Sequence, residues 1–297
     1  MSNLYNCEKL FFTPPVQNDG MFFYLPNIKE FHRKEIDFHD TIHAEEEEAH
    51  QLNSVRNKYY HEYYKKWIYR LPVDALILEI RVGSGVDAIP IIARGYHFIA
   101  SDISTETIRS FKNIVESRLP GVIKNVIFLV ADGQRLPINN EIVEATYMVA
   151  SLHHFKNQGD LLSEMLRITK PGGLMIFAME PSRFMMSFVK LFARIKRLRI
   201  YQGHSEADET HSGYSTDDIN KLCQKSGVKV LEVKRVWIIQ GLLHYGLEGI
   251  FRLVRLKRRI RLPKIIELMF LRVDEVLLKI PLVNRINWHW IVVLQKE

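Results

Sequence analysis

Between residues 75 and 178 the chain repeats one pattern: a short apolar run of strand length, a cluster of turn residues, then a helical stretch. The apolar runs fall at 75–80, 97–102, 126–130, 145–150 and 174–178. A helical stretch follows the first run as far as Gly95, a C′ glycine. A second starts at the N-cap Ser104 and stops at Pro120-Gly121. A third, 161–169, meets Pro171-Gly172-Gly173. Strands that alternate with helices must form a largely parallel sheet covered by helices, an α/β architecture. Such sheets hold ligands beyond the carboxyl ends of their strands. Gly83, Asp102, Asp132 and Ser151 all fall there.

The flanking texture differs. Residues 1–30 are aromatic and punctuated by proline (Phe11-Phe12-Thr13-Pro14-Pro15, Phe22-Phe23-Tyr24-Leu25-Pro26) and predict an irregular arm packed on the surface. Residues 44–70 predict a helix. Its acidic run, 45–48, suits a helix N-terminus, and Tyr59, Tyr60, Tyr63, Tyr64 and Trp67 recur at core-facing intervals. Beyond Glu180-Pro181 the spacing predicts a basic amphipathic helix over 182–200, a polar loop over 201–214 and a helix from the N-cap Ser215 to Gly227. Strands are expected at 228–238 and 288–295, around a Leu/Arg-rich helical insert broken by Pro263 and Pro281. The expected organisation is an N-terminal arm and helix (1–70), a sheet domain (71–180 plus 227–297), a cap (181–226) and a helical insert (239–287).

Composition excludes several classes. With 297 residues, 47% hydrophobic and 25% charged, the chain has ample apolar material for a core and is not a disordered polymer. Cys7 and Cys223 are too few for a disulfide framework or a Cys-x-x-Cys zinc site, which fits a reducing compartment. The start lacks a basic end followed by an apolar run, and the longest uncharged apolar stretch, 236–247, is too short to span a bilayer. A cytoplasmic protein is expected. The net charge of +7 is uneven: Lys190, Arg194, Lys196, Arg197 and Arg199 form one acid-free cluster, and Arg252, Arg255, Lys257, Arg258, Arg259, Arg261 and Lys264 form another.

Four motifs stand in order along the alternating block. They are Leu78-Glu79-Ile80-Arg81-Val82-Gly83-Ser84-Gly85; Ser101-Asp102-Ile103-Ser104; Ala131-Asp132-Gly133-Gln134-Arg135-Leu136-Pro137; and Leu152-His153-His154-Phe155, followed by Lys170-Pro171-Gly172-Gly173. The interval from Gly83 to Asp102 alone also suits a nicotinamide-binding fold; the later motifs do not. Together they resemble the class I S-adenosylmethionine-dependent methyltransferases, in the ubiquinone/menaquinone-type branch, closely over about a third of the chain. The resemblance implies a Rossmann-like, seven-stranded, mostly parallel sheet with a helical cap, and S-adenosyl-L-methionine as cofactor. It implies that Gly83, Ser84 and Gly85 hold the methionine part, with Glu79 near its amino end. Asp102 would take the ribose hydroxyls, Ile103 would press on adenine, and Asp132 and Gly133 would receive the adenine amino group, with Ser151 on the same rim.

One position departs from the family. Arg81 stands where its first motif glycine would be. There it strains the turn, fills the cofactor space, swings aside, or pairs with Glu79 or the cofactor carboxylate. His154 and His211 are candidate general bases, and His153 and Tyr214 candidate substrate contacts; a loop-ordering role is the other reading for His153. The loop from His204 to His211 reads as a solvated lid over the substrate pocket rather than as a metal site, and no metal is expected. The basic helices read as a solvated face, a nucleic-acid grip or an anchor to an anionic membrane surface. The apolar Phe184, Met185, Met186, Phe188, Leu191 and Phe192 of the first helix, Leu253, Leu256, Ile260 and Leu262 of the second, and the absence of an RNA-stacking motif favour lipid over RNA. The expected activity is methyl transfer to a small-molecule or lipid-like acceptor, with an RNA methyltransferase or a non-catalytic relative impaired by Arg81 as alternatives.

Overall fold

The computed structural model describes residues 7–26, 33, 36, 55–193, 211–243, 246–247 and 262–297. The acidic run 45–48, the loop residues 204–210 and most of both basic clusters lie outside the described residues.

Each predicted apolar run forms a strand. The strands are β1 (Val16–Asn18), β2 (Met21–Tyr24), β3 (Leu76–Ile80), β4 (His97–Asp102), β5 (Val126–Ala131), β6 (Val143–Val149), β7 (Thr169–Pro181), β8 (Val228–Val236) and β9 (His289–Lys296). They make one sheet in the order β1-β2-β5-β4-β3-β6-β7-β9-β8. β3 is central and buried on both faces. Its alternation sends Ile77 toward one core cluster and Leu76, Leu78 and Ile80 toward the other. The pairs β2–β5, β5–β4, β4–β3, β3–β6 and β6–β7 are parallel, whereas β9 is antiparallel to both β7 and β8. The strands β2 to β8 therefore end on one rim, with β9 alone among them reversed.

Among the described residues eight helices are assigned: α1 (Cys7–Leu10), α2 (Val55–Ile68), α3 (Ala88–Ile92), α4 (Thr105–Arg118), α5 (Gln158–Ile168), α6 (Arg183–Ala193), α7 (Thr216–Cys223) and α8 (Lys264–Leu277). The caps act as expected. Ser104 accepts from the Thr107 N–H at 3.0 Å, and Ser215 with Asp218 closes a capping box.

Three expectations need correction. The sheet has nine strands among the described residues, not seven, because the N-terminal arm is not irregular. Asp19 and Gly20, both at positive φ, turn the hairpin β1–β2, and β2 pairs with β5 through Phe22↔Leu129 and Phe23↔Val130. Strands this short at a sheet edge carry too little pattern to be read. Second, β7 runs through Pro171-Gly172-Gly173 rather than starting after it. Third, the apolar face of α6 is not turned outward: Phe184 and Phe188 pack on the buried Trp288 ring at 5.8 and 5.1 Å, and Met186 is buried. Of that group Leu191 is exposed.

Candidate active site

The carboxyl ends of three adjacent strands converge on one pocket. β3 contributes Ile80 and Arg81, β4 contributes Ser101, Asp102 and Ile103, and β5 contributes Ala131, Asp132, Gly133 and Gln134. His154, Phe155 and Lys156, beyond β6, complete the lining. The carboxylates are held by backbone. Asp102 accepts from the Ser104 N–H at 3.0 Å and the Gly83 N–H at 3.4 Å, and Asp132 accepts from the Gln134 N–H at 3.0 Å. A carboxylate can accept about four hydrogen bonds, so both retain capacity toward the pocket.

The two glycines of the first turn have different reasons. Gly83 is at φ 51, and a Cβ there would meet nothing within 4 Å; its missing side chain opens onto space. Gly85 is at φ 70, and a Cβ would meet the Phe111 ring at 2.0 Å. That glycine admits a core aromatic from α4. Arg81 is at φ 61, a left-handed conformation that costs a non-glycine residue about 1–2 kcal/mol. Ala150, Met179 and Trp237 also have positive φ, at the ends of β6, β7 and β8. Four of the seven non-glycine residues at positive φ among the described residues thus lie near the carboxyl ends of strands; Asp19, Glu141 and Leu282 lie elsewhere.

Behind the first turn lies a second group of charges. Asp87, nearly buried, receives His61 Nδ1–H at 2.9 Å and Lys65 Nζ at 2.8 Å, both from α2. Burial pushes its carboxyl up, but His61 and Lys65 outweigh that and hold it well below the ordinary carboxylate range. Glu79 receives the Tyr147 hydroxyl at 2.7 Å. Burial, reinforced by the Asp87 charge, pushes Glu79 well above the usual range. The Tyr64 hydroxyl on the same face is buried without a hydrogen-bond partner.

Farther along the rim, Glu180 fastens the loop after β6. The register shift around Met179 turns it inward, where it accepts from the Ser151 and Leu152 N–H groups, both at 2.8 Å, and from His153 Nδ1–H at 3.0 Å. His153 lies 4.3 Å from the His154 ring and 5.9 Å from His211, which in turn lies 4.7 Å from Tyr214. Burial and the neighbouring His153 push the His211 imidazole below its ordinary value. Its Nδ1 accepts from the Gly213 N–H at 3.0 Å, so the neutral ring carries its proton on Nε2. The Tyr214 hydroxyl accepts from Gln158 Nε2 at 2.7 Å.

Of the sequence candidates, Arg81, Asp102, Ile103, Asp132, Gly133 and His154 meet around the pocket. Glu79 faces Tyr147 instead, and the Ser151 hydroxyl donates to its neighbour's carbonyl, Val149 O. Ser84 and Gly85 lie in the turn without lining the pocket. His153, His211 and Tyr214 form a separate ring cluster. Sequence reasoning missed Gln134, Phe155 and Lys156 in the lining, and Glu180 as the clasp. An acid ending the otherwise apolar run 174–181 was the available signal for Glu180.

An open, doubly wound sheet with acids on adjacent strand ends around one pocket defines a nucleoside-binding α/β domain. Residues 78–177 match a family model described as a methyltransferase domain. A demethylmenaquinone methyltransferase of Renibacterium salmoninarum is 28% identical over 116 residues, covering 37% of this chain and 46% of that protein. That of Tropheryma whipplei is 23% identical over 185 residues, covering 58% of this chain and 74% of that one. The chain thus spans less than half the length of the first of these relatives. Haemonchus contortus phosphoethanolamine N-methyltransferase 2, solved with S-adenosyl-L-methionine, shares the fold at a TM-score of 0.51 and 13% identity, over 91% of this chain and 60% of that one. The segment from Leu78 to Phe177 thus matches a methyltransferase domain and is similar to S-adenosylmethionine-dependent methyltransferases in sequence and fold.

Proposed function

We propose that the chain binds S-adenosyl-L-methionine in this pocket and transfers its methyl group to a small, lipid-like acceptor. The observation that carries the reading is the convergence of Asp102, Ile103, Asp132 and Gly133 around one cavity. The donor set fits a nucleoside: two carboxylates for hydroxyl and amino donors, an aliphatic side chain for a ring face, and a backbone turn without an obstructing Cβ. Asp102 would take the ribose hydroxyls and Asp132 the adenine amino group, while Glu79 would answer the ammonium of the methionine part. Bound, the sulfonium supplies an activated methyl, and displacement at that carbon needs mainly alignment.

The protein's own chemistry then concerns the acceptor. Glu180 and His153 would act as positioning residues, fixing the turn that brings His154 to the pocket. His154 is the candidate base for a hydroxyl acceptor, and His211, with its proton on Nε2, would donate to an acceptor oxygen. The curated relatives are quinone-pathway methyltransferases by name, which supports a small-molecule acceptor over RNA.

Arg81 supports a second reading, a methyltransferase fold with impaired cofactor binding, because a left-handed arginine lines the same pocket as both carboxylates. Calorimetric titration with S-adenosyl-L-methionine separates the two. Saturable binding that Asp102→Ala weakens supports the enzyme; no heat from the wild type, restored by Arg81→Gly, supports the impaired relative.

A further inference from the structure

Helix α8 is turned inside out. Its three acids face the protein: Glu267 is nearly buried, Asp274 is fully buried, and Glu275 receives the Tyr60 hydroxyl and Lys234 Nζ. Asp274 accepts the backbone N–H groups of Ile238, Ile239 and Gln240 at 3.1, 2.7 and 3.1 Å, capping the helical turn that follows β8. Those bonds fix the rotation of α8 about its own axis. The opposite face therefore presents Ile265, Leu268, Met269, Val273 and Val276 to solvent, with Ile265 76% and Val276 60% exposed. Past its end, Leu282 is held at φ 72 and is 70% exposed, continuing the apolar surface.

The charges on that face have one sign. Lys264, Arg272 and Lys279 are exposed, and no carboxylate of α8 is. In the sequence immediately before α8, seven basic residues from Arg252 to Lys264 stand with no acid between Glu248 and Glu267. Exposed aliphatic side chains edged by cations, on a helix whose acids are all turned away, are the composition of an element that lies in a lipid headgroup layer. A protein-binding face would be richer in Tyr and Trp, which this one lacks.

We propose that the outer face of α8 is a docking surface for an anionic bilayer, on which its aliphatic side chains enter the headgroup boundary while Lys264, Arg272 and Lys279 meet lipid phosphates. This differs from the anchor expected at 182–200, whose aromatic face is committed to Trp288. The inference does not depend on methyl transfer.

The test is flotation of the whole chain with vesicles of phosphatidylcholine alone and of phosphatidylcholine mixed with phosphatidylglycerol. The wild type should float with the mixed vesicles and sediment with the neutral ones, less strongly as salt rises. Met269→Glu combined with Val276→Glu should lower the vesicle-bound fraction about tenfold with an unchanged melting temperature, since both positions are exposed. Wild-type protein that never floats, or that floats equally with both vesicles, overturns the proposal. So does a double variant that floats like the wild type, which would assign binding to another segment. Light scattering covers the remaining occupant: a wild-type dimer that the double variant converts to monomer, without flotation, makes the face an interface between two copies and also overturns it.

Discussion

Four carboxylates crowd the first two strand ends and the turn between them and β5, and the fold uses them in two ways. Asp102 and Asp132 stand on the pocket wall, each braced by backbone N–H groups that leave acceptor capacity toward open space. Glu79 and Asp87 are walled in behind the turn, and their state is set by what touches them. Asp87 meets the Lys65 ammonium and the His61 imidazole and stays charged; Glu79 is buried beside the Asp87 charge, and burial and charge together favour its neutral form against the opposing Tyr147 hydrogen bond. Residue type does not separate ligand acids from structural ones. The local supply of positive charge and the direction of the cavity do.

The sharpest way to break this comparison is at Asp87. Asp87→Ala would leave Lys65, 3% exposed, with Glu62 at 3.5 Å and His61 without its carboxylate. Removing one side of a buried ion pair typically costs about 3–5 kcal/mol. Urea unfolding should show a loss of that size. Because the folded carboxyl lies below its unfolded value, this stability is present above the ordinary carboxylate range and is lost as pH falls through it. A loss no larger than that of an exposed substitution would mean that Asp87 is not the structural member of the set.

Asp102→Ala should divide the other way. A hydrogen bond to a charged group is worth roughly 1.5–3 kcal/mol, so affinity for S-adenosyl-L-methionine should drop about tenfold to a hundredfold in calorimetry. Stability should fall by less than for Asp87→Ala, since Asp102 accepts from backbone N–H groups and its removal leaves no buried lysine without its carboxylate. Equal effects of the two substitutions on binding would erase the distinction between wall and interior.

The sequence carried the pocket side of this contrast well and the buried side poorly. Strand-length apolar runs and the residues that end them located Asp102, Asp132 and the Gly83 turn, because parallel strands of similar length must finish on one rim. Glu79 was grouped with the cofactor by its place in the motif; nothing in the linear pattern says that Tyr147, 68 residues away, donates to it. Asp87 drew no attention, because its partners sit on α2 and only the packing of that helix against the turn reveals them. The hairpin β1–β2 escaped for a different reason, its strands being too short to establish a period. The rotation of α8 was equally hidden: amphipathicity gives a helix two faces, and the three N–H groups held by Asp274 decide which one is inside.

Glu79 offers a smaller but more diagnostic effect. Its folded pKa is raised, so the neutral acid stabilises the apo-protein at low pH, and that contribution is lost as pH rises from the ordinary carboxylate range toward the raised value. An ammonium brought beside it favours the anion, so binding should release a proton. Affinity should then rise with pH in that window by up to about tenfold per unit, or about 1.4 kcal/mol. Calorimetry in two buffers of different ionisation enthalpy would count the proton, and Glu79→Gln should flatten the slope. A flat wild-type profile would place Glu79 wholly with the structural acids.

Arg81→Gly has the smallest expected effect, and its sign is what matters. Removing the side chain relieves a left-handed residue of about 1–2 kcal/mol of strain, and the greater freedom of glycine in the unfolded chain takes back about 0.4–1 kcal/mol. Stability should therefore rise by no more than about 1.6 kcal/mol. Calorimetry gives the second readout. If the guanidinium occupies nucleoside space beside Asp102 and Asp132, affinity rises in the variant. If it meets the cofactor carboxylate, affinity falls, because a charge-assisted pair is lost. Unchanged affinity would show that Arg81 lines the pocket without touching what binds there, and the strain at φ 61 would then belong to the turn alone.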